Sequence, residues 1–135
     1  MLGIDFGTRR IGIAVSDPLN IIARGVTVIK NSPTAVAEIR RLAAEYDVER
    51  IVVGVPLTLK GEKGTKAVEV ESFAKKIRNV VDVEVVFWDE RFTSRTAHET
   101  MLAMGVRKKA RRLKERIDEM ASALILQGYL DNRRH

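Results

Sequence analysis

The sequence predicts an α/β domain built on a mixed five-stranded sheet, with three antiparallel strands at the N-terminus, two parallel strands after them, and flanking helices. Three observations carry this reading. The first sixteen residues, MLGIDFGTRRIGIAVS, alternate with period two about a short turn and so form a β-hairpin. The segment RIVVGVP, residues 50–56, is a continuous β-branched run, the pattern of a parallel strand covered on both faces. Between and after such runs the apolar residues switch to helical spacing. At 135 residues with 45% hydrophobic content, the chain has the size of one domain, read here as residues 1–135.

The elements follow in order. In the hairpin, Leu2, Ile4, Phe6, Ile11, Ile13 and Val15 form one apolar face, while the other carries Gly3, Asp5, Gly7, Gly12, Ala14 and Ser16. IIARGVTVIK, residues 21–30, alternates as a third strand. Ser32 as N-cap and Pro33 in the first turn open a helix over 32–46, with Val36, Ile39, Leu42 and Ala43 on its stripe. After the 50–56 strand, the loop LTLKGEKG leads to a helix begun by Thr65 that carries Val68, Phe73 and Ile77. VEVVFW, residues 83–88, is the last strand. A helix over 93–104 follows, stopped by Gly105. The final helix, over 112–132, places Ile117, Met120, Ala121, Leu124, Ile125 and Gly128 on one stripe.

Charge is unevenly placed. Residues 1–90 hold 13 Lys/Arg and 13 Asp/Glu, and residues 91–135 hold 11 and 5, so the whole net charge of +6 lies in the last third. Its centre is GVRKKARRLKER, residues 105–116. Such a cluster is either a solvated helix face or a surface for phosphate backbone, and Arg107, Lys108, Lys109, Arg111 and Arg112 are its candidate contacts. The chain has no cysteine, no apolar run long enough to span a bilayer and no leader pattern, which predicts a cytoplasmic protein with no membrane partner.

Three acidic positions stand out by placement. Asp5 sits on the bare hairpin face, Asp89 and Glu90 directly follow the last strand, and Asp118 lies at the edge of the last helix's stripe. Groups just past the carboxyl ends of strands line the functional edge of an open α/β sheet. Carboxylates converging there with no cysteine or histidine nearby make a hard oxygen site, suited to Mg²⁺ or Mn²⁺ rather than zinc. Each acid also has a local alternative: Asp5 beside an arginine, Asp89 or Glu90 beside Arg91, Asp118 beside Lys114 one turn back.

Four blocks, GIDFGTRRIGIAVSD, VVGVPLTLKGEKG, FWDERFTSRTA and IDEMASALILQGYL, together resemble the YqgF/RuvX family of RuvC-like, RNase H-fold proteins, in order and over essentially the whole chain. The resemblance implies an RNase H-like nuclease domain. It also implies an activity on nucleic acid, either trimming of the 16S ribosomal RNA precursor or resolution of Holliday junctions. The implied acids fall on Asp5, Glu90 and Asp118, with Asp89 the other candidate in its pair, and the glycine and arginine positions of the first block fall on Gly7, Arg10 and Gly12. Mg²⁺ or Mn²⁺ is the implied cofactor, and Arg10 and Arg91 flank the site. Two departures from RuvC-like resolvases stand in the sequence: IVVGVP ends without a carboxylate, and Ala121 and Ser122 occupy the turn after Asp118.

Two other readings compete. DFGT also resembles the phosphate loop of actin-like ATPases, which need two such domains where this length supplies one. A non-catalytic RNA or ribosome-assembly binder would use the 105–116 segment alone. Convergence of the carboxylates separates nuclease from binder. The expected partner is nucleic acid, with an rRNA precursor ahead of a DNA junction, and the expected state is a monomer or weak homodimer.

Overall fold

The computed structural model describes residues 1–56, 64–90 and 110–133, with side chains in the last stretch from residue 120 onward. The described elements are β1 (Leu2–Phe6), β2 (Arg10–Ser16), β3 (Ala23–Lys30), α1 (Ala35–Glu45), β4 (Arg50–Val55), α2 (Thr65–Arg78), β5 (Glu84–Asp89) and α3 (Ala110–Arg133). The five strands form one sheet in the order β3-β2-β1-β4-β5. β1, β2 and β3 pair antiparallel, whereas β4 joins β1, and β5 joins β4, in parallel. This is the mixed sheet that the hairpin and the β-branched run predict.

Period two then sorts the side chains. Leu2, Ile4, Phe6, Ile11, Ile13 and Val15 pack with Ile51, Val53 and Val55 of β4 and with α1 and α2 in one core. The opposite face carries a smaller cluster, in which Ala14 and Val52 meet Ile125, Leu126 and Leu130 of α3. The bare hairpin face is therefore the seat of α3. A Cβ at Gly3 would stand 2.7 Å from that of Leu126 and 3.1 Å from the Ser122 carbonyl oxygen. Glycine there lets a helix lie almost on the strand backbone.

β5 runs one residue later than expected and takes in Asp89, the last helix begins at Ala110, and four further local differences bear on packing. β3 begins at Ala23 because the preceding loop closes on itself: the Asp17 carboxylate accepts the amides of Ile21 and Ile22 at 2.6 and 2.8 Å. Gln127 of α3 then grips this loop, accepting the Ala23 amide and donating to the Ile21 carbonyl, each at 2.9 Å. The N-cap of α1 is Thr34 rather than Ser32, since the Ser32 carbonyl is used by the Ala35 amide in a turn that precedes the helix. On α2 the buried residues are Ala67, Val70, Phe73, Ala74 and Ile77, and Val68 faces solvent.

The fourth difference concerns the stripe of α3. Its buried residues are Ser122, Ile125, Leu126 and Leu130, with Tyr129 packed beside them, a stripe turned by about one residue from the expected one. Both stripes satisfy helical spacing. The branched side chains of Ile125, Leu126 and Leu130 fill the space over β1, β2 and β4, leaving Ala121 and Gly128 only half-buried. The expected loop 57–64, apart from Gly64, and the expected helix 93–104 lie outside the described residues. No helix among the described residues is long and apolar enough to cross a membrane.

Close seating of α3 yields a stability prediction. Gly3→Ala forces the helix or the strand to move, and overpacking of this kind costs roughly 1–3 kcal/mol. Thermal or urea unfolding should show Gly3→Ala below wild type and Gly3→Val below both. Equal stability of all three would mean that α3 is not seated as described.

Candidate active site

Strand parity brings two of the acids together. Asp5 pairs across β1 and β2 with Gly12, so it stands on the α3 side of the sheet, where its strand neighbours have almost no side chain. In β5, Val86 and Trp88 pack on the α3 cluster, while Val85 belongs to the opposite core. Continuing that alternation, Asp89 occupies a register position of the opposite face, paired with Val55, and Glu90 returns to the side of Asp5. The Glu90 and Asp5 carboxyl groups are hydrogen-bonded to each other.

Gly54 makes room for this pair, and its role is one the sequence reading missed. It lies on β4 between the strands that carry Asp5 and lead to Glu90, paired with Trp88. A Cβ at Gly54 would meet Ile125 Cδ1 at 2.6 Å and the Glu90 Cγ and Cδ at 3.0 and 3.2 Å. The signal was present, a lone glycine inside a β-branched run, which marks a close approach of another element. The segment IVVGVP has no carboxylate of its own, and its glycine instead admits a carboxylate from the next strand.

Two carboxyl groups in contact cannot both carry full charge in a half-buried place. Burial pushes the Glu90 carboxyl up from its ordinary value of 4.5 to about 7, helped by the charge and hydrogen bond of Asp5 and, more weakly, by the charge of Asp89. The Lys66 ammonium pulls the other way. This lysine, on the first turn of α2, is a second residue the sequence reading did not single out.

The third acid is fixed through its helix. Arg133 of α3 donates to Met1 Sδ at 3.6 Å, and the Ser122 carbonyl lies over Gly3, so α3 runs antiparallel to β1. Asp118 is one turn before Ser122 on the same continuous helix, in phase with the Ser122, Ile125 and Leu126 stripe. Position 118 therefore lies further along α3 toward the Asp5 end of β1. Its side chain is outside the described set, and among the described residues no group of three acids or histidines is assembled that could hold a metal ion.

Of the basic candidates, Arg10 opens β2 and shares the Asp5 face at the same end of the sheet, one strand over. Gly7 belongs to the intervening turn: a Cβ there would collide with the Arg10 carbonyl oxygen, and the Asn31 side-chain amide donates to the Gly7 carbonyl at 2.8 Å. The turn alone requires this glycine. Arg91, Arg107, Lys108 and Lys109 lie outside the described residues, and of Arg111 and Arg112 only the helical backbone is described. Trp88 packs edge-on against Tyr129, with ring centroids 6.3 Å apart.

Titration of Glu90 predicts a pH dependence for the metal-free protein. A folded-state value of about 7 lies above the ordinary 4.5, so between these the native state holds the proton more tightly. The stabilising contribution is complete below about pH 4.5, is lost as pH rises through 7, and amounts to up to about 3 kcal/mol. Glu90→Gln keeps the shape and a hydrogen-bond donor without the charge. In chelator, melting of this variant relative to wild type should improve from pH 4.5 to pH 8. A difference that does not vary with pH would mean that the two carboxyl groups are not in contact.

A family model described as RuvX, Holliday junction resolvase, matches residues 1–132. A protein of Chloroflexus aggregans is 44% identical over 137 residues, covering 100% of this chain and 95% of its own. One of Ruminiclostridium cellulolyticum is 42% identical over 134 residues, covering 97% and 93%. Both bear the name "Putative pre-16S rRNA nuclease". Among solved structures, T. thermophilus RuvC in complex with Holliday junction substrate is similar with a TM-score of 0.62 at 19% identity, covering 98% of this chain and 94% of that one. Fowlpox virus resolvase with its Holliday junction DNA is similar at 0.55 and 13% identity, covering 100% of each chain. At such identities the likeness is one of fold, the RuvC-like, RNase H-type sheet that the four sequence blocks imply.

Proposed function

The chain belongs to the RuvX family, and on that premise we propose that it is a metal-dependent nuclease that hydrolyses phosphodiester bonds of structured nucleic acid, with the 16S ribosomal RNA precursor as substrate. The observation that carries the reading is the Asp5–Glu90 carboxyl pair at the carboxyl edge of the central strands. A protein that only bound RNA would gain nothing from two acids held in contact. Close relatives named for the rRNA precursor support RNA as the substrate, and the family description keeps a four-way DNA junction as the second arm of the test.

The donor set fits a hard divalent cation: two carboxyl groups within hydrogen-bond distance, no thiol in the chain, and a further acid, Asp118, on α3. Asp5, Glu90 and Asp118 would hold Mg²⁺ or Mn²⁺. When bound, the ion neutralises charge that builds up on the phosphate and makes a water acidic enough to attack near neutral pH. The protein's own part is to hold its carboxylates in place against their repulsion. Gly54 leaves space for the Glu90 side chain, and the β1–β2 turn at Gly7 sets Arg10 on the acidic face, where it would contact a phosphate oxygen of the substrate. Arg91 and the basic segment that leads into α3, Arg107, Lys108, Lys109, Arg111 and Arg112, extend the phosphate-binding surface. Residues 1–135 act as one nuclease domain in this reading.

The test is cleavage of an rRNA precursor fragment and of a four-way DNA junction, side by side, with Mg²⁺, Mn²⁺, Ca²⁺ or chelator. Mg²⁺ and Mn²⁺ should support RNA cleavage and Ca²⁺ poorly, because it favours larger and looser oxygen shells. Asp5→Asn and Glu90→Gln should each lose at least about 100-fold in rate while still binding RNA. Cleavage in excess chelator would end the metal reading, and cleavage of the junction alone would transfer the activity to DNA.

Gly54 supplies a separate prediction. Gly54→Ala pushes on Ile125 and on the Glu90 side chain, and misplacing a catalytic group by about 1 Å can cost on the order of 100-fold. Single-turnover cleavage should fall far more than RNA affinity does. A variant as active as wild type would show that Glu90 need not stand over β4.

A further inference from the structure

Lys66 is placed by α2 in a way that its neighbours explain. The buried stripe of this helix is Ala67, Val70, Phe73, Ala74 and Ile77, and Lys66 shares its phase, standing four, seven and eleven residues before Val70, Phe73 and Ile77. A lysine in phase with a buried stripe would normally be covered, yet Lys66 is exposed. Its exposure follows from position along the helix. α2 is the crossover between the parallel strands β4 and β5, so its first turn lies at their carboxyl ends, where the sheet stops.

The helix that carries Lys66 is firmly anchored just after it. Ala67 is fully buried, and the Phe73 ring packs on that of Phe6 with centroids 4.8 Å apart, Phe6 being the chain neighbour of Asp5. Lys66 is thus held at the edge beside the Asp5–Glu90 pair, near enough for its charge to act on Glu90. The first turn of α2 contains no acid, and among the described residues no carboxylate forms an ion pair with this ammonium. A cation fixed at an acidic edge, with no ion-pair partner among the described residues, is poised for an anion that arrives from solution.

We propose that Lys66 is a substrate-contacting residue whose ammonium binds a backbone phosphate of the nucleic acid strand, on the side of the carboxylate pair opposite α3. The inference rests on the nuclease reading and adds a direction to it. α3 covers one face of the sheet and α2 the other, so a strand held by Lys66 meets Asp5 and Glu90 from the α2 layer.

The experiment compares wild type, Lys66→Met and Lys66→Arg on the rRNA precursor fragment. Binding is measured in chelator across a salt series, and cleavage in Mg²⁺. Loss of one phosphate contact removes about 0.7 units from the slope of log affinity against log salt for a single strand. Lys66→Met should show that loss, with affinity down about 3- to 10-fold and kcat/KM at least as much, and Lys66→Arg should recover both. A Lys66→Met variant with unchanged slope and kcat/KM overturns the proposal, as does one whose only change is a lower melting temperature at pH 8, which would make Lys66 a purely electrostatic support for Glu90. Wild-type protein that neither binds nor cleaves the RNA would instead overturn the nuclease reading on which the proposal stands.

Discussion

A Cβ at Gly3 would stand 2.7 Å from that of Leu126, so α3 can lie on the sheet only because β1 is bare where the helix crosses it. The spacing between α3 and the strands follows from that contact. It sets how far Ile125 reaches toward Gly54 and which turn of the helix comes level with Asp5. Branched side chains on α3 and missing side chains on β1 and β4 are two halves of one fit. Gly3 and Gly54 admit two different intruders, the helix itself and the Glu90 side chain.

That fit holds acids where they destabilise the fold. Burial, then the charge and hydrogen bond of Asp5 and more weakly the charge of Asp89, raise the proton affinity of Glu90 and oppose folding at neutral pH. The apolar core on the other side of the sheet offsets this, with Leu2, Ile4, Ile11, Ile13, Ile51 and Val53 fully buried. Stability and chemistry are thereby separated by the sheet: one face is a continuous core under α1 and α2, and the other is a thin layer under α3 that leaves one end for the acids.

Much of this was legible in order along the chain. The hairpin, its bare face with Asp5 and the β-branched β4 follow from period two, which is local and robust. The choice between Asp89 and Glu90 could not be read in that way. It depends on which face β5 presents, and that is set by pairing with β4 through Gly54 and Trp88. The stripe of α3 was misplaced by about one residue for a related reason: two apolar stripes overlap on this helix, and only the shape of the sheet selects Ile125, Leu126 and Leu130 over Met120, Ala121 and Leu124. Val68 on α2 is a parallel case, apolar and well spaced yet left in solvent.

The sequence by itself determined the elements, the apolar face of the hairpin and the residue types available for chemistry, because each of these depends on neighbours within a few positions of the chain. Tertiary structure decided which of those residues meet. Asp5 and Glu90 are 85 positions apart and are brought into contact by a parallel strand, β4, inserted between theirs. Lys66 comes to the same edge through a crossover helix, and Gln127 fastens the loop after β2 from the far end of the chain. Contacts of this range carry no local pattern, since they are fixed by the order of strands in the sheet and by how closely a helix can approach a strand without side chains.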